Sequence, residues 1–352
     1  MITLKELAEE CNVSIATVSN ILNGKSNVSE ETKARVLKVV KKHGYKPNLM
    51  ARSLRVTKTK TIGILVDDLG AFGTPEIIEG ITSFLEKNSY KVVIQTLRIF
   101  TSIGGQSALG SEAFLQKLEA SFQEMLAIRV EAVIYIAAYS RQIDYLPENF
   151  SLPIVLAYAT TDNKLIPCVI PDDLTAAEEA TEYLIKHGGK KIALIKGIEQ
   201  NIHSQLREEG FRSVMKKQGL TIVEELIENA EWNAESAYAA CQKIFEKGRP
   251  DSIFCFNDYM AAGAYQFLLE HDIKPGKDIN IIGFDNNRIA KGLPPPLTTM
   301  GIGVYGIGNT AARLTVDLLD NKTTSERIFK IPCRIIERDS VKEMGISKNC
   351  NF

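Results

Sequence analysis

Apolar residues recur along this chain with two different periods, and the change of period marks a change of structure. Near the start they fall three and four apart. Leu4, Leu7, Ala8 and Cys11 form one helical stripe, Val18, Ile21 and Leu22 a second, and Val36, Val39 and Val40 a third. Polar residues bracket each stripe. Thr3-Leu4-Lys5-Glu6 is a capping box, in which the threonine oxygen and the glutamate carboxylate satisfy each other's helix-end amides. Ser14 and Ser29 can cap the second and third helices, and Gly44 after His43 supplies the left-handed stop of the third. Asn12-Val13-Ser14 is a turn short enough to hold two helices at a steep angle, so Ser14 to Asn23 reads as the second helix of a helix-turn-helix. Asn23 to Asn27 is a loop by composition. The pattern predicts three short helices around one small core, a DNA-binding headpiece over residues 1–46.

After a polar, basic linker (Val56 to Lys60) the rhythm changes. Short apolar runs at Ile62–Val66, Val92–Thr96, Ala132–Ala137 and Pro153–Leu156 alternate with helical stretches at Thr74–Lys87 and Glu112–Ala127. A second series repeats the order: helix Asp173–Lys186, strand Lys191–Ile195, helix Ser204–Gln218, strand Thr221–Ile227, helix Asn233–Glu246, strand Ser252–Phe256, helix Asp258–His271 and strand Ile279–Phe284. Repeated βα units give mostly parallel sheets with helices on both faces. Two series joined near residue 158 predict two lobes, with a cleft for one small molecule beyond the carboxyl ends of the strands. Thr101–Gly110, rich in Gly and Ser, is expected to be a loop near that cleft.

Charge sharpens the division. The 352 residues carry a net charge of −1, yet residues 1–60 hold 12 Lys and Arg against 5 Asp and Glu, leaving the head at +7 and the rest at −8. A basic head on an acidic body points to nucleic acid at the head alone. The six cysteines (11, 168, 241, 255, 333 and 350) lie far apart, several inside apolar runs, which fits buried, reduced thiols and no metal site. With no signal-peptide core and no apolar run near the roughly 20 residues of a membrane span, a cytoplasmic protein without a membrane partner is expected.

On the second helix, Ile15, Ala16, Thr17, Ser19 and Asn20 are the candidates for reading the major groove. Small apolar groups suit a thymine methyl, and an asparagine amide can pair with adenine through two hydrogen bonds. A surface helix carrying a few small residues is the plainer alternative for this stretch taken alone. Its neighbours favour the first reading. Thr17-Val18-Ser19, Val28-Ser29-Glu30-Glu31-Thr32, Gly44-Tyr45-x-Pro47-Asn48 and Ala51-Arg52-Ser53-Leu54-Arg55 together resemble the lac repressor and purine repressor family of bacterial regulators. The resemblance is unbroken over roughly the first 60 residues and looser over the rest.

That resemblance implies a small all-α helix-turn-helix headpiece (1–46), a hinge helix and linker (47–60), and an α/β two-lobed, periplasmic-binding-protein-like core with parallel sheets (61–345). It implies three crossings between an N-lobe of about 61–158 and 301–320 and a C-lobe of about 159–296 and 321–340, with Leu297–Met300 carrying the chain back and Tyr305–Leu319 a helix of the first lobe. It also implies a minor-groove hinge made by Asn48, Ala51, Arg52, Ser53, Leu54 and Arg55, with Leu54 as the wedge. The residues agree. Eight are too few for a stable lone helix in water, where about 12–15 are marginal, and an exposed leucine between arginines suits a side chain that unstacks a base step.

For the effector, Arg207 lies in the family's Arg-x-x-Gly-Phe motif, and Asp285 stands in Gly-Phe-Asp-Asn after a strand. Asn257 and Asp258 end another strand, and Trp232 aligns with an aromatic plate that stacks on the effector ring. Phe72 and Thr74 are candidates for the opposite wall. Tyr158 replaces an Asp that many relatives carry, Asn201 stands where the purine-binding relative has Arg, and His203 is a polar neighbour; a nucleobase is therefore disfavoured and a plain monosaccharide not secured. A structural salt bridge is the alternative for Arg207 and Asp285, and core or loop filling for Trp232 and Asn257. Gly301-Ile302-Gly303-Val304-Tyr305-Gly306 fits a dinucleotide fingerprint literally, but no acidic second strand follows and Pro294-Pro295-Pro296 disrupts the approach. No nucleophile elbow, metal cluster or phosphate loop appears. The expectation is a non-enzymatic repressor without catalytic residues, metal or cofactor. It would bind a pseudo-palindromic double-stranded operator as a homodimer or larger and answer to a small molecule, a sugar or sugar derivative or else a non-sugar metabolite. A sugar-binding module or an enzyme without a DNA role is the rival.

Overall fold

The computed structural model describes residues 2–22, 28–45, 59–99, 109–147, 150–322 and 326–342. It divides into two units, Met1–Thr59 and Lys60–Phe352.

In the first unit, α1 (Leu4–Glu10), α2 (Ile15–Leu22) and α3 (Glu30–Lys42) surround a core of Leu7, Ala8, Cys11, Val18, Ile21 and Val36. The caps form as the sequence dictates. The Glu6 carboxylate accepts from the Thr3 amide at 2.7 Å while Thr3 Oγ1 accepts from the Glu6 amide, and Ser14 Oγ accepts from the Thr17 amide at 3.0 Å. Gly44 ends α3 at φ +57°, a conformation that costs glycine nothing.

The second unit holds two six-stranded sheets among the described residues. The first contains β1 (Thr61–Val66), β2 (Lys91–Thr96), β3 (Ala132–Ile136), β4 (Ile154–Ala157) and β5 (Cys168–Pro171), flanked by α4 (Thr74–Lys87) and α5 (Glu112–Ile128). The chain then passes into α6 (Asp173–Lys186), β6 (Ile192–Lys196), α7 (Ile202–Lys217), a 3-10 turn at Glu224–Leu226, β7 (Ile227–Asn229), α8 (Ala234–Lys247), β8 (Ser252–Cys255), α9 (Asp258–Glu270), β9 (Asn280–Asp285), α10 (Arg288–Gly292) and β10 (Thr298–Gly301). Helix α11 (Val304–Leu319) returns to the first lobe, where β11 (Ile328–Ile331) joins the first sheet, and β12 (Arg334–Ile336) closes the second. The first sheet runs β11-β5-β4-β3-β1-β2, all parallel; the second runs β12-β10-β9-β8-β6-β7, with β12 antiparallel.

Both faces of the first sheet are covered, which explains its continuous apolar strands. Ile62, Ile64 and Val66 belong to the core shared with α4, whereas Leu65, Val133, Tyr135 and Leu156 face Phe114, Leu118, Phe122 and Met125 of α5. Helices α4 and α11 meet backbone to backbone. A Cβ on Gly80 would collide with the Tyr305 carbonyl, and one on Gly308 with the Ile77 carbonyl.

The crossings differ in place from the expectation. The first lobe continues past residue 158 to Pro171, because Cys168–Pro171 pairs with β4 and β11. Four residues beginning after a proline carry too little periodicity to announce a strand. Thr298–Gly301 does not carry the chain back; it pairs with β9 in the second sheet, and the crossing follows at Ile302. Residues 321–340 likewise contain a strand of each lobe, joined across Pro332-Cys333. The strand expected at Thr221–Ile227 is displaced to Ile227–Asn229 by the 3-10 turn. The glycines of the Gly301–Gly306 run serve packing. Cβ atoms on Gly303 and Gly306 would press on Ile331 Cγ2 at 2.9 and 3.2 Å, where β11 runs alongside the crossing.

Candidate functional site

On α2, burial of Val18 and Ile21 turns Ile15, Ala16 and Asn20 outward; Ile15 is 41% exposed. Thr17 and Ser19 are half-buried, and the Thr17 hydroxyl is 2.8 Å from Ser14 Oγ, so Thr17 takes part in the helix cap. Asn48, Ala51, Arg52, Ser53, Leu54 and Arg55 lie outside the described residues.

In the second unit, the C-terminal ends of the strands in both sheets converge on a cavity of about 220 Å³. From the expected set it is lined by Phe72, Tyr158, Asn201, His203, Arg207, Trp232, Asn257 and Asp285. Its floor is Arg207, 2% exposed. The guanidinium donates from Nε to Asp173 Oδ1 at 2.7 Å and from Nη1 to the Phe256 carbonyl, lies 3.5 Å over the Phe284 ring, and places Nη2 4.0 Å from Asp285 Oδ1. Asp173 also bonds His203 Nδ1. Burial alone would raise the pKa of Asp173, but the facing His203 and Arg207 outweigh it and hold the carboxyl below its usual range. Asp285 behaves in the opposite way. Burial pushes its pKa well above the usual carboxylate range; Arg207 pulls it down, and the neighbouring Asp258 and Asp173 add to the rise. Two carboxylates around one guanidinium therefore differ: Asp173 is the ion partner, and Asp285 faces the cavity without a side-chain hydrogen bond to another described residue.

Three lining residues hold positive φ, namely Tyr158 (61°), Trp232 (60°) and Asp285 (102°). Such conformations persist only where the surroundings over-determine them, and they gather at ligand sites. The Trp232 ring lies flat on Gly197, where any Cβ would enter the indole. Its carbonyl accepts from Asn257 Nδ2 at 3.0 Å, while Asn257 Oδ1 caps α9 through the Met260 amide at 2.7 Å. Asn201 similarly caps α7, accepting from the His203 amide at 2.9 Å. Both asparagines thus hold helix ends at the cavity wall.

Two expected contacts fall outside the cavity. Asp258 is fully buried beneath it, accepting from Thr299 Oγ1 and the Asn287 amide, each at 2.6 Å, so it anchors the loop that carries Asn287. Burial raises its pKa to about 7 against those two hydrogen bonds. Thr74 is buried as the first residue of α4, away from the lining. Conversely, Ala138, Tyr139, Ser140, Ile198, Tyr259 and Asn287 line the cavity although no sequence motif marks them. The segment 138–141 is fixed by a buried network. Asp67 accepts from Tyr135 Oη (2.6 Å), the Ala138 amide (2.8 Å) and Arg141 Nη1 (2.6 Å), and Arg141 Nη2 donates to Tyr145 Oη (3.0 Å). The visible signal was Asp67 itself, an acid directly after an apolar strand.

Residues 3–48 match the family described as bacterial regulatory proteins, lacI family, and residues 181–341 match a periplasmic binding protein-like domain. The HTH-type transcriptional repressor PurR of Vibrio cholerae serotype O1 is 30% identical over 348 residues, covering 98% of this chain and 99% of that protein. The chain belongs to the lacI family. A second relative, the HTH-type transcriptional regulator RegA of Clostridium saccharobutylicum, is also 30% identical over 341 residues, covering 96% and 98% of the two chains. The lac repressor dimer bound to operator and the anti-inducer ONPF has the same fold, with a TM-score of 0.79 at 21% identity over 97% of this chain and 99% of that one. This is therefore a DNA-binding transcriptional regulator of the lacI family with a periplasmic-binding-protein-like effector domain, and its relatives are regulators rather than enzymes. No described helix is long and apolar enough to cross a membrane.

Proposed function

We propose that this regulator is a repressor that grips a pseudo-palindromic operator as a homodimer or larger assembly, and that a neutral, hydroxyl-rich molecule, a sugar or sugar derivative, controls it from the cleft. One observation carries the choice of ligand. Among the described lining residues Arg207 is the one permanent cation, and its charge is already matched by Asp173. An anionic effector such as a phosphate would meet no surplus positive charge. Hydroxyls suit the floor: they can accept from Arg207 Nη2 and donate to Asp285, while the Trp232 face covers an apolar ring surface. The cavity of about 220 Å³ is below the roughly 300–1,000 Å³ of drug-sized pockets, which restricts the occupant to a small molecule. On the DNA side, Ile15, Ala16 and Asn20 read bases, and residues 48–55 fold on the minor groove with Leu54 as wedge.

The test is a thermal-shift panel of neutral sugars, sugar phosphates and purine bases on the full chain. A ligand at 100 times its Kd stabilises the native state by about 2.7 kcal/mol. Neutral sugars are expected to raise Tm. Stabilisation confined to phosphates or purines contradicts the proposal.

A further inference from the structure

Resting on that reading of the cleft, the structure assigns His203 a specific role in recognition. Asp173 locks its ring as the Nδ1–H tautomer, which leaves Nε2 as a hydrogen-bond acceptor that selects an effector hydroxyl. Four observations converge. First, the backbone of His203 is fixed, because Asn201 caps α7 through the His203 amide. Second, α6 and α7 approach so closely at Gly210 that a Cβ there would press on the Leu174 carbonyl and Ala177. This brings Asp173, 1% exposed, against both His203 and Arg207 of the next helix.

Third, Asp173 is ionised beside Arg207, and an ionised carboxylate can only accept. The shared hydrogen must therefore sit on His203 Nδ1, and in the neutral imidazole the other nitrogen is then an acceptor. Arg207 Nε donates to the other oxygen of the same carboxylate, so both Asp173 oxygens are engaged as acceptors. Fourth, Nε2 is buried without a hydrogen-bond partner among the described residues, although His203 lines the cavity. The ring packs beside Tyr158, with centroids 5.8 Å apart and planes at 29°. A buried acceptor without a partner is costly. An occupant that presents an O–H or N–H to Nε2 removes that cost, and one that presents an acceptor is rejected.

Two measurements on the full chain test this. The tautomer is read without ligand by imidazole nitrogen NMR of histidine-labelled protein at pH 8, with His203→Phe identifying the signal among four histidines. Nδ1 is expected to be protonated and Nε2 bare. A proton on Nε2 overturns the proposal. Recognition is read by calorimetry with neutral monosaccharides (glucose, galactose, mannose, xylose, ribose) and their monodeoxyfluoro analogues, in which one hydroxyl loses its donor. For the sugar that binds, fluorine at one position is expected to weaken binding to the parent about tenfold, one hydrogen bond's worth. The same change is expected to cost His203→Phe no more than about twofold, because the acceptor is gone. Thermal melts of both proteins establish that the ring replacement leaves the fold intact. If a sugar binds and every analogue shows equal losses in parent and variant, the role of His203 falls while the sugar reading stands. If none of the sugars binds, the sugar reading falls and this inference with it.

Discussion

Replacing Arg207 by Met keeps a stem of similar length and removes the guanidinium. Asp173, 1% exposed, then keeps only its bond to His203 and loses both the 2.7 Å bond from Nε and the matching charge. Breaking a buried ion pair from one side costs about 3–5 kcal/mol, since the remaining charge is stranded. At roughly 2–4 °C per kcal/mol for a domain of this order of size, Tm is expected to fall by about 6–20 °C. The assay is thermal and urea unfolding followed through Trp232, the only tryptophan, whose ring centroid is 5.9 Å from the guanidinium carbon. The second arm combines Arg207→Met with Asp173→Asn. Neutralising Asp173 removes the stranded charge, so the double variant is expected to be more stable than Arg207→Met alone. A single variant within about 1 kcal/mol of the parent, or a double variant whose losses simply add, refutes the reasoning. This matters for function because losing effector response in an Arg207 variant mixes a lost contact with a weakened floor. Asp285, which holds no such bond, gives the cleaner probe.

Asp285→Asn is expected to stabilise the protein at pH 8. The folded-state pKa of Asp285 is raised, so above the ordinary carboxylate range the folded protein bears a cost that the unfolded chain does not; the benefit of Asn shrinks as pH falls and vanishes below about pH 3, where the carboxyl is protonated in both states, and urea titrations from pH 8 down to that limit read the sign. Asn20→Ala is expected to cost about 1–3 kcal/mol on the preferred operator and little on random duplex, measured side by side; equal losses remove Asn20 from base reading. Leu54→Ala is expected to weaken operator binding several-fold and reduce the DNA bend while sparing non-specific binding, which rests on phosphate contacts. A bend assay beside a salt series decides it.

How much of this was legible depended on whether the signal was local. The headpiece was readable to the residue at its caps because Thr3, Glu6, Ser14, Ser29 and Gly44 act within one turn of themselves. Arg207 was found through its Arg-x-x-Gly-Phe motif, Trp232 through its alignment with the family's aromatic plate, and Asp285 and Asn257 through their places at strand ends; all four line the cavity. Asp258 misled through its strand-end place. It shares the strand-end position, yet its side chain points under the β9–α10 loop, and only tertiary placement of Thr299 and Asn287 shows this. The lobe boundary was illegible because β5, β10, β11 and β12 are three or four residues long and choose their sheets by pairing. Asp173 was invisible as a site residue. Its partners are 30 and 34 positions away, brought near by the close approach of α6 and α7.

The most direct test of the central claim is operator binding with and without the sugar that raises Tm most, in the parent and in Asp285→Ala. Without sugar the two proteins are expected to bind operator alike. At a saturating level for the parent, the sugar is expected to change its operator Kd by about tenfold, within the usual 5–150-fold range of allosteric coupling, and to leave Asp285→Ala unmoved at that level. A sugar that occupies the parent cleft without changing its operator Kd, or that shifts Asp285→Ala equally, contradicts the account.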